Sequence, residues 1–168
     1  DKVYSGSGIP KVEANLSFSG SYKNFDLSFQ FGSAWGHKLY NVNRLYYEGM
    51  DAGRNYFTST MNAWTPQNAG TSMPRAVLGD PNENTRESDR FLENGNFVRL
   101  RQLQLGYSLS KALAKKMYLE KCRLYVSGEN LFTITKYSGI DPEFSSSILN
   151  TGVDSFVCLL YTSDAADE

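Results

Sequence analysis

Four stretches of the chain alternate apolar and polar side chains with a period of two, the pattern of β-strands that have one apolar and one polar face. They begin at Val12, Phe25, Asn96 and Cys122. Only Lys23 and Asn24 separate the first two, which predicts a hairpin with a two-residue turn. We expect antiparallel strands in an all-β fold. The predicted apolar-face residues are Leu16, Phe18, Phe25, Leu27, Phe29, Leu103, Leu105, Leu109, Leu124 and Val126.

The connections between these strands differ greatly in length. Residues 32–95 form a long polar segment in which Leu39, Val42, Tyr46 and Met50 have near-helical spacing, so we predict a helical turn or two there. Residues 110–121 form a shorter, basic connector in which we predict one helical turn. The fourth strand is predicted to end at residue 130 and to be followed by a loop. Short turns at one end and long loops at the other are typical of outer-membrane barrels.

Two architectures fit the alternation. In a soluble β-sandwich the apolar faces would be buried against a second sheet. In a transmembrane barrel they would face lipid, and the polar faces would line the lumen. The uniform apolar faces, the small polar residues opposite them and the unequal loops favour the barrel. So few strands cannot close a wide barrel, so this interpretation predicts a piece of a larger one. A soluble carbohydrate-binding β-sandwich is the alternative.

Two arginines test the barrel interpretation. If the alternation of the third strand continues towards its start, Arg99 and Arg101 lie on the apolar face. Near the bilayer midplane an arginine costs about 2–4 kcal/mol, falling to about 0–1 kcal/mol at the interface. A β-bulge would instead turn Val98 and Leu100 to the apolar face. The sequence leaves both arrangements open.

Composition and charge exclude some classes of function, and they say less about the fold. The net charge is −1, which argues against a nucleic-acid partner that is bound through its phosphates. Mean hydropathy is −0.44, and no apolar run approaches the roughly 20 residues of a membrane-spanning helix. The chain opens without the pattern of a signal peptide, so we expect either a cytosolic protein or a piece of a longer one.

The residues that carry chemistry are sparse. There is one histidine, His37, for which we expect a surface or interfacial role, and the two cysteines have no metal-site spacing. No catalytic constellation or phosphate-binding loop occurs, so we predict no enzyme activity, no cofactor and no metal. Asp141 and Glu143 could hold a cation, but an Asp before Pro142 more simply predicts a turn.

A group of aromatic residues in the long segment offers candidate contacts for a substrate or partner. Flat apolar rings stack on sugars and anchor protein partners, although they can equally pack a loop against itself. The candidates are Tyr46, Tyr47, Tyr56, Phe57 and Trp64. The polar-face residues that we expect to hydrate a lumen are Ser17, Ser19, Ser28, Gln30, Gln102 and Gln104.

Two long motifs resemble one family. The stretches are "FLENGNFVRLRQLQLGYSLSKAL" and "CRLYVSGENLFTITKYSGIDPE", with "IPKVEANLSFSGSYKNFDLSFQFGSAWGHKLYN" and "NAWTPQNAGTSMPRAV" before them. They resemble the C-terminal barrel region of SusC/RagA-type TonB-dependent outer-membrane transporters. The resemblance implies the last strands of a 22-stranded barrel with long extracellular loops, in the outer membrane. It also implies import of glycans or peptides, a SusD-like surface lipoprotein as partner, and contact with the TonB complex through an N-terminal region that this sequence lacks.

The end of the chain departs from that family. Residues 158–168 read "CLLYTSDAADE", which resembles a translated sequencing adapter rather than a final barrel strand. We therefore expect residues 1–157 to belong to the barrel and residues 158–168 to be a non-native tail.

Overall fold

The computed structural model describes residues 3–51, 53–144 and 151–155. Residues 158–168, predicted as a non-native tail, lie outside that part of the chain. The structure divides into two compact units. The sheet unit comprises Ile9–His37 and Asn94–Tyr137, and the loop unit is centred on Lys38–Glu93 and includes the chain before Ile9 and after Tyr137.

The sheet unit is a four-stranded antiparallel sheet in the order β1-β2-β5-β6. Its strands are β1 (Val12–Tyr22), β2 (Phe25–Trp35), β5 (Phe97–Ser108) and β6 (Arg123–Thr135). The short helix α2 (Lys111–Lys116) lies in the connector between β5 and β6, where a helical turn was expected. The four predicted strands are confirmed.

The β1-β2 hairpin has the predicted two-residue turn. Tyr22 pairs with Phe25, which leaves Lys23 and Asn24 as the central turn residues. Lys23 has a φ of 55°, the positive value that turns matched to the twist of a hairpin require. The side-chain amide of Asn24 donates to the Ser108 carbonyl at 2.7 Å, and the Ser108 N–H donates back to the Asn24 carbonyl at 2.8 Å. The turn is thereby tied to the end of β5.

The register places the predicted apolar residues on one face. Residues directly opposite one another in a sheet share a face, so each row across the strands can be read from the pairing. The rows are Leu16–Phe31–Leu100–Phe132, Phe18–Phe29–Leu103–Gly128, Gly20–Leu27–Leu105–Val126 and Tyr22–Phe25–Tyr107–Leu124. The last predicted position, Leu109, lies one residue beyond β5, where its N–H donates to the Cys122 carbonyl at 2.9 Å.

A β-bulge decides where the two arginines lie. Gln30 pairs with Gln102, but the next residue of β2, Phe31, pairs with Leu100, so Arg101 is an extra residue in β5. Because of this extra residue, Leu100 and the residues before it face the side of the sheet opposite to the one that the alternation of residues 102–108 would give them. Leu100 therefore lies on the apolar face, and Arg99 lies on the polar face opposite Gly32.

The strand β6 runs further than the sequence predicted. A loop was expected after residue 130, but β6 continues to Thr135. The prediction was wrong because β6 also changes phase there: Glu129 pairs with Gln102 and Phe132 pairs with Leu100, with two residues between them against one in β5. Asn130, with a φ of 50°, adopts the left-handed conformation that asparagine tolerates well. The broken alternation thus marks a bulge within a strand.

The loop unit contains a smaller, three-stranded sheet in the order β4-β3-β7. Its strands are β3 (Lys38–Asn41), β4 (Leu92–Asn94) and β7 (Val153–Asp154), and β3 pairs in parallel with β7. The helix α1 (Val42–Tyr47) follows β3 directly and confirms the predicted helical turn. Short 3-10 turns occupy Thr58–Asn62 and Asp89–Phe91.

A small set of side chains is buried in the loop unit. Leu39, Met50 and Phe91 are buried, and the Tyr40 and Phe91 rings meet edge to face with centroids 6.3 Å apart. The side chain of Asn41, also buried, caps α1 by accepting the Arg44 N–H at 3.1 Å. Within the described residues, no helix has both the length and the apolar character needed to cross a membrane.

Candidate functional site

The middle of the polar face carries mostly uncharged hydrogen-bonding side chains, with Glu129 the one acidic residue in its two rows. One row reads Ser17–Gln30–Gln102–Glu129, and the next reads Ser19–Ser28–Gln104–Ser127. All six predicted polar-face residues lie in these two rows. Hydroxyl and amide groups of this kind exchange hydrogen bonds with water or a polar solute, so the face suits a hydrated surface.

An ion pair crosses the polar face near the short-turn end of the sheet. The Arg123 guanidinium on β6 donates from Nε to Asp26 Oδ1 on β2 at 3.0 Å and from a second nitrogen to Oδ2. The strand between them, β5, has Gly106 at this position, and a side chain there would collide with the Asp26 carboxylate. Glycine is therefore what allows a bidentate pair to span three strands.

The two arginines at the bulge also lie over the polar face. Arg99 donates from Nε to the Thr133 hydroxyl of β6 at 2.9 Å. The Arg101 guanidinium occupies the space that a side chain at position 32 would need, because Gly32 leaves that part of β2 bare. The bulge and one glycine together keep both positive charges off the apolar face.

Much of the apolar face is exposed, although Leu100 is buried and Phe29, Phe31 and Leu103 are half-buried. Leu16, Phe18, Leu105, Leu124 and Val126 are between 50 and 78% exposed. A soluble β-sandwich would bury these side chains against a second sheet, so their exposure contradicts that alternative. Aromatic rings collect at the short-turn end, with the Phe25 and Tyr107 centroids 4.7 Å apart.

The loop unit contains a buried network of charges around Glu48. The Glu48 side chain is 5% exposed and accepts two hydrogen bonds from the Arg44 guanidinium, at 3.0 and 3.1 Å. Arg90 approaches the same carboxylate at 3.4 Å, and the Ser59 hydroxyl donates to it at 3.1 Å. One carboxylate thus joins α1 to two other segments of the loop unit.

Glu93 extends this network to the chain after β6. It accepts the Ser138 N–H and hydroxyl, each at 2.7 Å, and a guanidinium nitrogen of Arg44 at 3.1 Å. Burial raises the pKa of the Glu93 carboxyl, but the hydrogen bonds from Ser138 and Arg44 outweigh burial, so the pKa lies below its ordinary value. Glu93 is therefore ionised near neutral pH and fixes three segments together.

The predicted aromatic contacts are brought together only in part. The Tyr47 and Phe57 rings are 5.1 Å apart, and the Phe57 N–H donates to the Tyr47 carbonyl at 3.0 Å. The Arg54 guanidinium lies 5.7 Å from the Tyr46 ring centroid. Trp64 follows the Thr58–Asn62 turn, where its N–H donates to the Pro74 carbonyl at 3.3 Å. The fifth candidate, Tyr56, is half-buried.

The exposed fraction of each ring shows which aromatic residues pack within the loop unit and which remain accessible to solvent. Tyr46 and Phe57 are each 42% exposed, and Trp64 is 36% exposed, whereas Tyr47 is half-buried. Packing of the loop against itself thus accounts for Tyr47 and one side of Phe57. Tyr46, Phe57 and Trp64 retain ring surface that a solute or partner can reach.

The single histidine, His37, is buried and not exposed at the surface. His37 is 4% exposed, and its carbonyl accepts the Gly95 N–H at 3.1 Å. Burial lowers the pKa of the His37 imidazole, and the Glu13 carboxylate only partly opposes this effect. The surface alternative was wrong because a strand end need not be solvated when other backbone packs beside it, and the interfacial alternative stays a prediction.

Asp141 forms the predicted turn. Its carboxylate accepts the Glu143 N–H at 2.8 Å, an arrangement that asparagine and aspartate commonly form before a bend. In the part of the chain that the structure describes, no group of three or more histidine, cysteine, aspartate or glutamate side chains could hold a metal ion.

Sequence reasoning missed the charge network of the loop unit. Arg44 and Glu48 stand four residues apart within a predicted helical stretch, a spacing that could have signalled their pair. Glu93 and Ser138 lie far along the chain from Arg44, and no local pattern indicates that they meet.

A sheet with one polar face, one exposed apolar face and an aromatic rim has the features of the wall of a transmembrane β-barrel. No protein-family model matches the chain. The RagAB peptide transporter has a solved structure with a TM-score of 0.72 to this chain and 30% identity. The match covers 90% of this chain and 16% of that one.

Curated relatives lead to the same family. TonB-dependent receptor P3 of Formosa agariphila is 36% identical over 138 residues, which cover 81% of this chain and 13% of the relative. TonB-dependent receptor SusC of Bacteroides thetaiotaomicron is 33% identical over 141 residues, covering 82% of this chain and 13% of the relative. The chain belongs to the SusC/RagA-type TonB-dependent receptors, whose place is the outer membrane, and it spans about one seventh of the length of these relatives.

Proposed function

We propose that this chain supplies wall strands and extracellular loops to an outer-membrane TonB-dependent importer of glycans or peptides. Its mechanism is gated permeation, with no bond made or broken by the wall. One observation carries the proposal: the register separates polar from apolar side chains across four strands, and the bulge at Arg101 maintains that separation. A lipid-facing wall needs such a separation, whereas a soluble sheet with both faces in water does not.

In this proposal the apolar face contacts lipid acyl chains. The lipid-facing residues are Leu16, Phe18, Phe25, Leu27, Phe29, Leu103, Leu105, Leu109, Leu124 and Val126. The bulge brings Leu100 and Phe132 into the row of Leu16. Leu100 is 6% exposed and packs within the sheet unit, so Phe132, at 46% exposed, is the residue that the bulge adds to the lipid-facing set. The serine and glutamine rows line the lumen on the opposite side.

The partners are proposed from the relatives. The solved RagAB structure is that of a peptide transporter, and SusC is a TonB-dependent receptor. We infer that the whole receptor pairs with a SusD-like surface lipoprotein and draws energy from the TonB complex through a region outside this chain. The loop aromatics Tyr46, Phe57 and Trp64 are the proposed contacts for the solute or for that lipoprotein, because their rings stay accessible.

Uptake by the full-length receptor tests the proposal. Cells that contain the receptor and cells that lack it would be given labelled neutral oligosaccharides and labelled oligopeptides. We expect uptake of one class that requires both the receptor and a functional TonB complex. Uptake unchanged by loss of the receptor, or a receptor recovered in the soluble fraction without detergent, would contradict the proposal.

Substitutions in the loop unit distinguish residues that contact the solute or lipoprotein from residues that only pack within the loop. Tyr46→Ala and Trp64→Ala should weaken uptake at low solute concentration by about fivefold or more, the size of effect expected for an aromatic anchor. Leu78→Ala is the matched control, because Leu78 is an apolar loop residue that is 83% exposed and has no proposed contact. Equal effects of all three substitutions would remove the aromatic residues from the proposal.

A further inference from the structure

The connector between β5 and β6 concentrates positive charge at the short-turn end of the sheet. Residues 110–121 contain Lys111, Lys115, Lys116 and Lys121 against a single acidic residue, Glu120, in a chain whose net charge is −1. All four lysines are exposed. A group of like charges this dense on a short segment attracts an anionic partner.

The same connector exposes large apolar side chains. Leu113 is 53% exposed, Met117 is 56% exposed and Tyr118 is 99% exposed. Tyr118 follows α2 with a φ of 57°, in a position where helices usually end in glycine. A helix end that holds a tyrosine entirely in solvent gains nothing from packing within the sheet unit.

The connector continues the apolar band of the sheet. It begins directly after β5 and ends at β6, and the Leu109 N–H donates to the Cys122 carbonyl at its base. Beside it stands the aromatic rim of Tyr22, Phe25 and Tyr107, of which Tyr22 is 72% exposed. The Lys23 amine lies 5.3 Å from the Tyr22 ring centroid, so a basic group also stands beside the aromatic rim.

Basic and aromatic side chains next to an apolar band are suited to the headgroup layer of a bilayer. Aromatic rings favour the interface, and lysines extend their stems along apolar surface while their amines reach phosphate. We propose that the connector at residues 110–121 binds anionic phospholipid headgroups at the short-turn end of the barrel. Lys111, Lys115, Lys116 and Lys121 supply the charge, and Leu113, Met117 and Tyr118 enter the boundary between headgroups and acyl chains.

This inference rests on the membrane placement of the sheet and is independent of what the receptor transports. A receptor that imports no glycan or peptide could still select anionic lipid here. Conversely, a receptor with normal uptake could lack any lipid preference at this segment. The lipid test and the uptake test therefore fail separately.

Lipid selection by the full-length receptor tests the inference. The receptor would be placed in nanodiscs of equal phosphatidylethanolamine and phosphatidylglycerol, and the ratio of the two lipids retained on release would be measured by native mass spectrometry. Each basic residue near an anionic surface is worth about a factor of five in affinity. For Lys115→Gln with Lys116→Gln we therefore expect preferential retention of phosphatidylglycerol to fall by roughly 25-fold.

The matched control removes two lysines from the opposite end of the same sheet. Lys11 and Lys136 are exposed and lie just outside β1 and β6. Lys11→Gln with Lys136→Gln should leave the ratio within about twofold, since these charges are distant from the connector. Folding of each variant is checked by gel mobility without heating. An unchanged ratio for the connector variant, or an equal loss in both variants, would overturn the inference.

Discussion

The cost of a charge on each face of β1 follows from its geometry. β1 has 11 residues, which at about 3.3 Å each span about 36 Å. Tilted by roughly 45°, the strand covers about 25 Å along the membrane normal, the height of the apolar band of an outer-membrane barrel. Leu16 and Ser17 lie at the midpoint of the strand and on opposite faces. They therefore experience the same depth but different surroundings.

The perturbation is one arginine at each position. Leu16→Arg should destabilise the folded receptor by about 2–4 kcal/mol, the cost of arginine at the midplane of a lipid-facing surface. Leu16 is 62% exposed, so loss of its packing against neighbouring side chains adds little to that value. Ser17→Arg keeps the charge in the lumen and should change the stability by about 0.5 kcal/mol or less. The two equilibrium constants should thus differ by about 10-fold or more.

The assay is equilibrium folding of the full-length receptor in lipid vesicles as urea is varied. The folded fraction is read from the mobility of unheated samples on a gel, and each variant is compared with the unmodified receptor. If Ser17→Arg cost as much as Leu16→Arg, or if Leu16→Arg cost under about 1 kcal/mol, the assignment of the two faces would be refuted.

Three further predictions concern the bulge and the loop unit. Gly32→Val should displace the Arg101 guanidinium and lower the unfolding free energy by about 1–3 kcal/mol. Gly70→Val is the control: no group lies within 4 Å of a side chain placed at Gly70, so the unfolding free energy should change little. Urea titration of both variants measures the difference. Glu48→Gln should cost about 1–3 kcal/mol of local stability, because Arg44 keeps only the Glu93 carboxylate and Arg90 loses the carboxylate that it faces. Faster cleavage of the loop unit by protease would show this loss. Because the pKa of Glu93 is lowered in the folded state, its contribution is present above the ordinary value of 4.5 and is lost as pH falls towards the folded value; Glu93→Gln should flatten the pH dependence of that cleavage in this range.

Local patterns in the sequence were sufficient for the presence of the four long strands and for the two faces of β1 and β2. The period-two alternation of Phe25, Leu27 and Phe29 depends only on the strand that carries it, and so does the turn at Lys23. The same locality explains why residues 42–47 could be predicted as helical. These features need no knowledge of which strand lies beside which.

The bulge and the charge network needed the neighbouring strands. Whether Arg101 or Leu100 faces the apolar side depends on the register between β5 and β2, which no single strand specifies. Glu93 meets Arg44 and Ser138 only after the chain has folded back twice. The accessible ring surfaces of the loop aromatics likewise depend on long-range packing. The sequence therefore indicated the candidate residues but could not show that Tyr46 is exposed and Tyr47 half-buried.

The face assignment along β5 is tested most directly by a spin-label scan of the full-length receptor in lipid vesicles. Single labels at residues 98–107 would be compared for collisions with oxygen, which concentrates in lipid, and with a water-soluble nickel complex. We expect oxygen to dominate at Leu103, Leu105 and Tyr107, and, across the bulge, at Val98, with the nickel complex dominating at Gln102 and Gln104. An alternation that ran through Arg101 without a change of phase, or no alternation at all, would contradict a wall whose apolar face meets lipid.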